Sequence, residues 1–224
     1  MTDLIEHDVL IVGGGGAGLR AAIAIAETDP SLSIAVVSKI YPMRSHTVSA
    51  EGGAAAVIRP EDSLEDHIYD TISGADWLAD QDAVEAFVNE APREMTQLEH
   101  WGCPWSRNPD GTVHQKPFAG QSHDRTVHKG DLTGIEIINR LSEQVAAAGP
   151  TILEETRAVE LLLDASGQRV TGVLLLDLRR GTFLVVQAKA TLLATGGGPT
   201  MYKITAASHD KACDGIAMGF RAEC

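Results

Sequence analysis

The sequence has no C-x-x-C pair. Its three cysteines, Cys103, Cys213 and Cys224, stand far apart, so no iron–sulfur or zinc site built by this chain is expected. An odd count fits a reducing compartment better than a disulfide framework. Aromatic residues make up 4%, too few for a stacking platform that reads single-stranded nucleic acid. Basic residues are the minority, 18 against 31 acidic, for a net charge of -13. That balance argues against nucleic acid or an anionic membrane as a direct partner. It leaves room for a small anionic substrate, which needs only a local basic pocket. No apolar run reaches the roughly 18 residues of a spanning helix. The opening Met1-Thr2-Asp3-Leu4-Ile5-Glu6-His7 is polar and acidic, unlike a signal peptide. The expectation is a soluble chain with no direct membrane span, reaching any membrane through a partner.

What is present is a globular pattern: 224 residues, 44% hydrophobic, with 22 glycines. Asp8–Val12 is a short apolar run ending at glycine, as a buried parallel strand does. Ala17–Glu27 is alanine-rich and helical, and Thr28-Asp29-Pro30 ends it. Ile34–Ser38 is a second buried strand, completing a βαβ unit of about 30 residues. Ile40–Gly53 reads as an irregular loop. Helices are predicted at Ser63–Ser73, at Asp80–Trp101 and at Asp131–Ala148. In Asp80–Trp101, Ala83, Phe87, Ala91, Met95 and Leu98 form the expected apolar face, and Pro92 is expected to bend or divide the helix. In Asp131–Ala148, Ile135, Ile138, Leu141 and Val145 share a face. Gly102–Gly120 reads as turns or a surface hairpin. Strands are expected at Thr151–Glu154, Ala158–Asp164, Val170–Asp177 and Thr182–Gln187, and a last buried one at Ala190–Ala194. Asp210–Arg221 is helical. The apolar pattern of Met218, Phe220 and Ala222 has no Gly or Pro stop after it, so the chain is expected to be the front of a longer one.

Gly13-Gly14-Gly15-Gly16-Ala17-Gly18 lies between the first strand and the first helix. Gly13 allows the tight turn, Gly15 lets the backbone approach a pyrophosphate, and Gly18 lets helix and strand pack closely. In this strand–loop–helix context the G-x-G-x-x-G pattern points to a dinucleotide. An NAD enzyme should carry Asp or Glu after the second strand. Ser38 stands there, followed by Lys39; Ser38 can bond a ribose and Lys39 can neutralise a phosphate, which permits FAD. His46 then sits in Ser45-His46-Thr47-Val48-Ser49-Ala50-Glu51-Gly52-Gly53. Its small neighbours Ala50, Gly52 and Gly53 let a planar ring lie against the backbone, and Ser45 and Thr47 offer hydroxyls.

Tyr41-Pro42-Met43-Arg44-Ser45-His46-Thr47-Val48-Ser49-Ala50-Glu51-Gly52-Gly53, after that glycine loop, resembles the flavoprotein subunit of the succinate dehydrogenase/fumarate reductase family. So do Asp76-Trp77-Leu78, Glu99-His100-Trp101-Gly102-Cys103-Pro104-Trp105-Ser106-Arg107 and Ala194-Thr195-Gly196-Gly197. The resemblance implies an α/β, Rossmann-type FAD-binding domain with a parallel sheet, flanking helices and an antiparallel hairpin insertion near 154–188, here cut before its capping domain. Residues 1–224 would be an incomplete FAD-binding domain. It implies FAD joined through its 8α-methyl carbon to His46. Further FAD contacts would come from Gly13–Gly18, Ser38–Ile40, Ser45–Gly53, the strand near Ala158, and Asp214. Asp214 equally suits a plain helix N-cap.

By the same resemblance, the whole protein interconverts succinate and fumarate by hydride transfer. It passes electrons to an iron–sulfur subunit and quinone. It sits with membrane anchor subunits on the cytoplasmic side of the inner membrane, as a peripheral subunit. Arg125-Thr126-Val127-His128-Lys129-Gly130-Asp131-Leu132-Thr133-Gly134 departs from the family pattern in its middle. Arg125, His123 and His128 are read as a solvated surface. No catalytic or metal residue is assigned, because the family's dicarboxylate site uses later segments. Two alternatives stay open: a soluble flavin oxidase like L-aspartate oxidase, which lacks the histidine of the His-Thr loop, and a non-catalytic FAD-binding fragment.

Overall fold

The computed structural model of the protein describes residues 3–223, so Met1, Thr2 and Cys224 lie outside the described residues. The elements run β1 (Asp3–Val12), α1 (Gly16–Thr28), β2 (Ile34–Val37), β3 (Ala54–Ala55), α2 (Leu64–Gly74), α3 (Gln81–His100), β4 (Gln115–Lys116), β5 (Thr126–Val127), α4 (Thr133–Ala148), β6 (Thr151–Leu153), β7 (Thr156–Leu163), β8 (Val170–Asp177), β9 (Thr182–Leu193) and α5 (Asp214–Arg221). Residues up to Thr47 and from Leu141 onward form one compact unit; Val48–Arg140 form another.

The first unit holds a six-stranded sheet in the order β6-β2-β1-β9-β8-β7. β6, β2, β1 and β9 run parallel, and β8 and β7 add to β9 as antiparallel neighbours. The expected α/β class, parallel sheet and antiparallel addition are therefore all present. In β1 and β2 the adjacent residues Leu10, Ile11, Val36 and Val37 are all buried, although alternate strand residues face opposite sides. Two-sided burial explains why these strands read as unbroken apolar runs. Leu10, Val12, Ala35 and Val37 share a core with Leu161, Val173, Leu175, Val186 and Met218. Each large apolar side chain so buried contributes about 1.5–3 kcal/mol.

Two strand expectations are corrected. Thr182–Gln187 and Ala190–Ala194 are one strand, β9, and β1 reaches back from Asp8 to Asp3. The cause is mutual: β1 pairs with β9 from Asp3↔Leu184 to Val12↔Leu193. Local patterning cannot register a partner some 180 residues away.

In the second unit, Ser63 and Asp80 are the N-caps of α2 and α3; their side chains accept from the amides of Asp66 and Ala83. α3 runs unbroken through Pro92, so the expected division does not occur. Its buried face is Val84, Val88, Ala91 and Leu98, while Phe87 is exposed. The expected face is thus rotated by about one residue, because Ile72 of α2 packs on Val84 and Val88. The Gly102–Gly120 stretch is less superficial than its turn residues suggest. Cys103, Trp105 and Gln115 are buried, and the Trp105 indole N–H donates to the Met95 carbonyl at 3.2 Å.

Candidate functional site

The carboxyl ends of the parallel strands converge in the first unit. The Gly13 amide donates to the Val37 carbonyl at 2.8 Å, the Ala194 amide to Val12 at 2.8 Å, and the Ser38 amide to Leu153 at 2.9 Å. The Gly13–Gly18 turn, Ser38–Lys39 and Thr195–Gly198 therefore all leave the sheet at the edge where open α/β sheets hold ligands.

Gly15 is the N-cap of α1, with no side-chain cap and no acidic residue in the first turn. Such a helix start favours an anion. A Cβ on Gly18 would lie 1.8 Å from the Gly13 carbonyl oxygen, so only glycine lets α1 come this close. Gly14 is buried with Ser38 2.9 Å from where its Cβ would stand, and Ala17 is exposed.

The histidine loop is fastened to this turn. Two short 3-10 turns, Pro42–Arg44 and His46–Ser49, shape it. The Gly16 amide donates to Thr47 Oγ1 at 3.1 Å. The Ser45 side chain lies beside Gly15, and its hydroxyl is buried without a hydrogen-bond partner. A buried orphan hydroxyl next to a glycine-lined helix start, whose N-cap residue offers no side-chain acceptor, fits a polar ligand there. His46 is half-buried, and its Nδ1 accepts from the Ser208 amide at 3.4 Å. Burial first, and the charge of Lys211 second, hold its pKa below the ordinary histidine value. The imidazole is therefore neutral at pH 7, with Nε2 uncommitted by that contact.

A carboxylate centre adjoins. Asp214 accepts from Lys39 Nζ at 2.8 Å and from Arg157 Nη2 at 3.2 Å. Burial pushes the Asp214 pKa up, but these two cations outweigh it and hold the group ionised. The N-cap reading of Asp214 is corrected: Cys213 occupies the N-cap position of α5, without a side-chain cap, and Asp214 is its first residue, its side chain drawn to the cations instead. Lys39, Tyr41, Arg44, Arg157, Asp210 and Asp214 line a cleft of about 480 Å³. Ala158, next to Arg157 on β7, is half-buried against the core.

The remaining expected contacts belong to the second unit. The Ala50 carbonyl accepts from the Gly134 amide at 2.9 Å, and the Glu51 amide donates to Ser49 at 3.0 Å. Gly52 lies against the Phe118 ring, and Gly53 against Thr126 and Val127. The first unit thus gathers Gly13–Gly18, Ser38, Lys39, Ser45–Thr47, Ala158 and Asp214, while Ala50–Gly53 stand in the other. Sequence reasoning missed Arg157, Ser208 and Lys211, whose local surroundings carry no signal. It also misjudged Arg125, which is fully buried.

The family described as FAD binding domain matches residues 8–224. A fumarate reductase flavoprotein subunit of Mycobacterium tuberculosis is 51% identical over 97% of this chain and 37% of its own length. A succinate dehydrogenase flavoprotein subunit of Coxiella burnetii is 37% identical, over 97% of this chain and 38% of its own. An E. coli quinol fumarate reductase structure superposes with a TM-score of 0.91 at 43% identity, covering 98% of this chain and 37% of that one. The chain spans little more than a third of the length of these relatives. Among the described residues, no helix is long and apolar enough to cross a membrane. With the dinucleotide turn, the histidine loop and the strand-end site all in place, the chain belongs to the FAD-binding-domain family, on the side of its fumarate reductase and succinate dehydrogenase flavoprotein subunits.

Proposed function

We propose that this chain is the FAD-holding portion of a longer flavoprotein subunit that interconverts succinate and fumarate, with FAD joined covalently to His46. The observation that carries this reading is the Gly16–Thr47 hydrogen bond, which fastens the loop bearing His46 to the first turn of the dinucleotide helix.

FAD, when bound, supplies the hydride-accepting ring. The first-turn amides of α1 after Gly16, whose own N–H goes to Thr47, bind its pyrophosphate. Ser38 and the ionised Asp214 accept hydrogen bonds from ribose hydroxyls, and Lys39 and Arg157 keep Asp214 charged. Ser45 offers its unpartnered hydroxyl to the cofactor. The Ser208 amide orients His46 through Nδ1 and leaves the ring hydrogen on Nε2, the nitrogen that would give up that proton on joining the cofactor. Ala50–Gly53 supply a flat backbone for the ring. In the whole protein, electrons pass to an iron–sulfur subunit and to quinone, with membrane anchor subunits holding the assembly at the cytoplasmic side of the inner membrane. In the whole protein the dicarboxylate would be held by further segments, and no residue of this chain is assigned to it. His46 favours this reading over a flavin oxidase like L-aspartate oxidase.

The test is to express the complete subunit, precipitate it in acid and measure flavin fluorescence on the polypeptide. Retained flavin that vanishes in His46→Ala is expected. Flavin still bonded in that variant would overturn the role of His46.

A further inference from the structure

We propose that Arg125 is a positioning residue for the flavin-facing backbone: buried between Asp62 and Asp70, it holds the strand pair against which Gly53 rests. This rests on the reading that Ala50–Gly53 touch FAD.

Arg125 is fully buried. Its Nε and Nη2 donate to the two oxygens of Asp62 at 2.9 and 2.7 Å, and Nη1 donates to Asp70 at 2.7 Å. Nη2 also reaches Ser122 Oγ at 3.4 Å. A guanidinium has five N–H donors, and these contacts occupy four. Arg125 therefore has neither the exposure nor the donors to clamp a substrate carboxylate, and its role must run through what it holds.

It holds backbone. The Arg125 carbonyl accepts from the Ala56 amide at 3.0 Å and from Gln115 Nε2 at 2.8 Å. Gln115 Nε2 also donates to the Ala56 carbonyl at 2.8 Å. The next two residues, β5, pair with β3, Ala54↔Val127 and Ala55↔Thr126. Strands of two residues are too short to set their own position. The ion pairs supply that anchor by tying β5 to Asp70 on α2 and to Asp62 just before it. Gly53 then enters β3 at φ +115°, where a side chain would meet Thr126 and the Val127 carbonyl at 2.5 Å. The path of Gly52–Gly53 is thus set by β5, and β5 by Arg125.

The experiment uses the complete flavoprotein with Arg125→Lys and, as the milder change, Asp70→Asn, which leaves the two-oxygen contact with Asp62. Both should cut covalent flavin per polypeptide by about tenfold or more, as a small misplacement of a reacting group does. Both should also alter the visible circular dichroism of whatever flavin remains, while helix content is kept. Should Arg125→Lys fail to fold, Asp70→Asn carries the test. A lowered Tm with flavin content and spectrum unchanged would reduce Arg125 to a stabilising role and overturn the proposal. Absence of flavin from the unsubstituted protein would instead overturn the FAD reading of Ala50–Gly53 and the proposal with it.

Discussion

Thr47 Oγ1 accepts the amide hydrogen of Gly16 at 3.1 Å, so the residue after His46 is bonded to the first turn of α1. Thr47→Val keeps the shape and removes the acceptor. Loss of that bond should lower stability by about 1 kcal/mol, read by urea denaturation. A change near zero would mean that the loop stands without the bond.

Two glycines of similar appearance should respond oppositely to alanine. Gly18→Ala puts a methyl 1.8 Å from the Gly13 carbonyl oxygen, and α1 has to move; a loss of at least about 1–3 kcal/mol is expected. Gly74 ends α2 with nothing within 4 Å of its Cβ position. Gly74→Ala should gain about 0.5–1 kcal/mol. Thermal denaturation of both variants checks the pair.

His46 gives the protein a pH dependence of known sign. Burial and Lys211 lower its folded pKa, so the folded state binds its proton less readily than the unfolded chain. Stability is full above the unfolded value of about 6.5. It falls as pH drops below that value, and levels off once the folded pKa is passed. Lys211→Gln should raise the His46 pKa, measured by an NMR titration; no movement would remove Lys211 from the site.

Asp62 and Asp70 act at lower pH. Burial pushes both carboxyls up, but the bonds to Arg125 for Asp62, and to Ser122 and then Arg125 for Asp70, prevail and leave both pKa values below the ordinary one. Their stabilisation is present above the unfolded value of about 3.9. It is lost as pH falls through the folded values. Acid unfolding followed by circular dichroism should be shallower in Asp70→Asn.

His114 Nδ1 and His128 Nε2 lie 2.8 Å apart, and His128 Nδ1 accepts from the Gly130 amide at 3.1 Å. His128 therefore carries its hydrogen on Nε2 and donates it to His114. Burial, then Lys116 and His114, lower the His128 pKa, in keeping with an uncharged His128 ring. Nitrogen-15 shifts of the two rings should report these tautomers, and the reverse pattern on His128 would refute the assignment.

The βαβ unit, the dinucleotide turn and the histidine loop were legible in the sequence because each rests on contacts within about thirty residues. The starts of α2 and α3 were legible for the same reason: helices were expected from Ser63 and Asp80, and the structure makes these residues the N-caps. The burial of Arg125 was not: its aspartates lie 63 and 55 residues away, and a charged residue among turn formers looks solvated. The Ser208–His46 contact, across 162 residues, was invisible too.

By itself the sequence determined which segments become buried strands, where α1 begins, and that a flavin suits this chain better than NAD. Periodicity, glycine placement and small side chains act over short range, and they survive in any account of the chain. Tertiary structure alone decided that β9 is one strand shared by parallel and antiparallel neighbours, that Asp214 pairs with Lys39 and Arg157 rather than capping α5, and that Arg125 is interior. Each of those outcomes depends on which distant segment folds back to satisfy a backbone edge or a buried charge, and local residues do not carry that information.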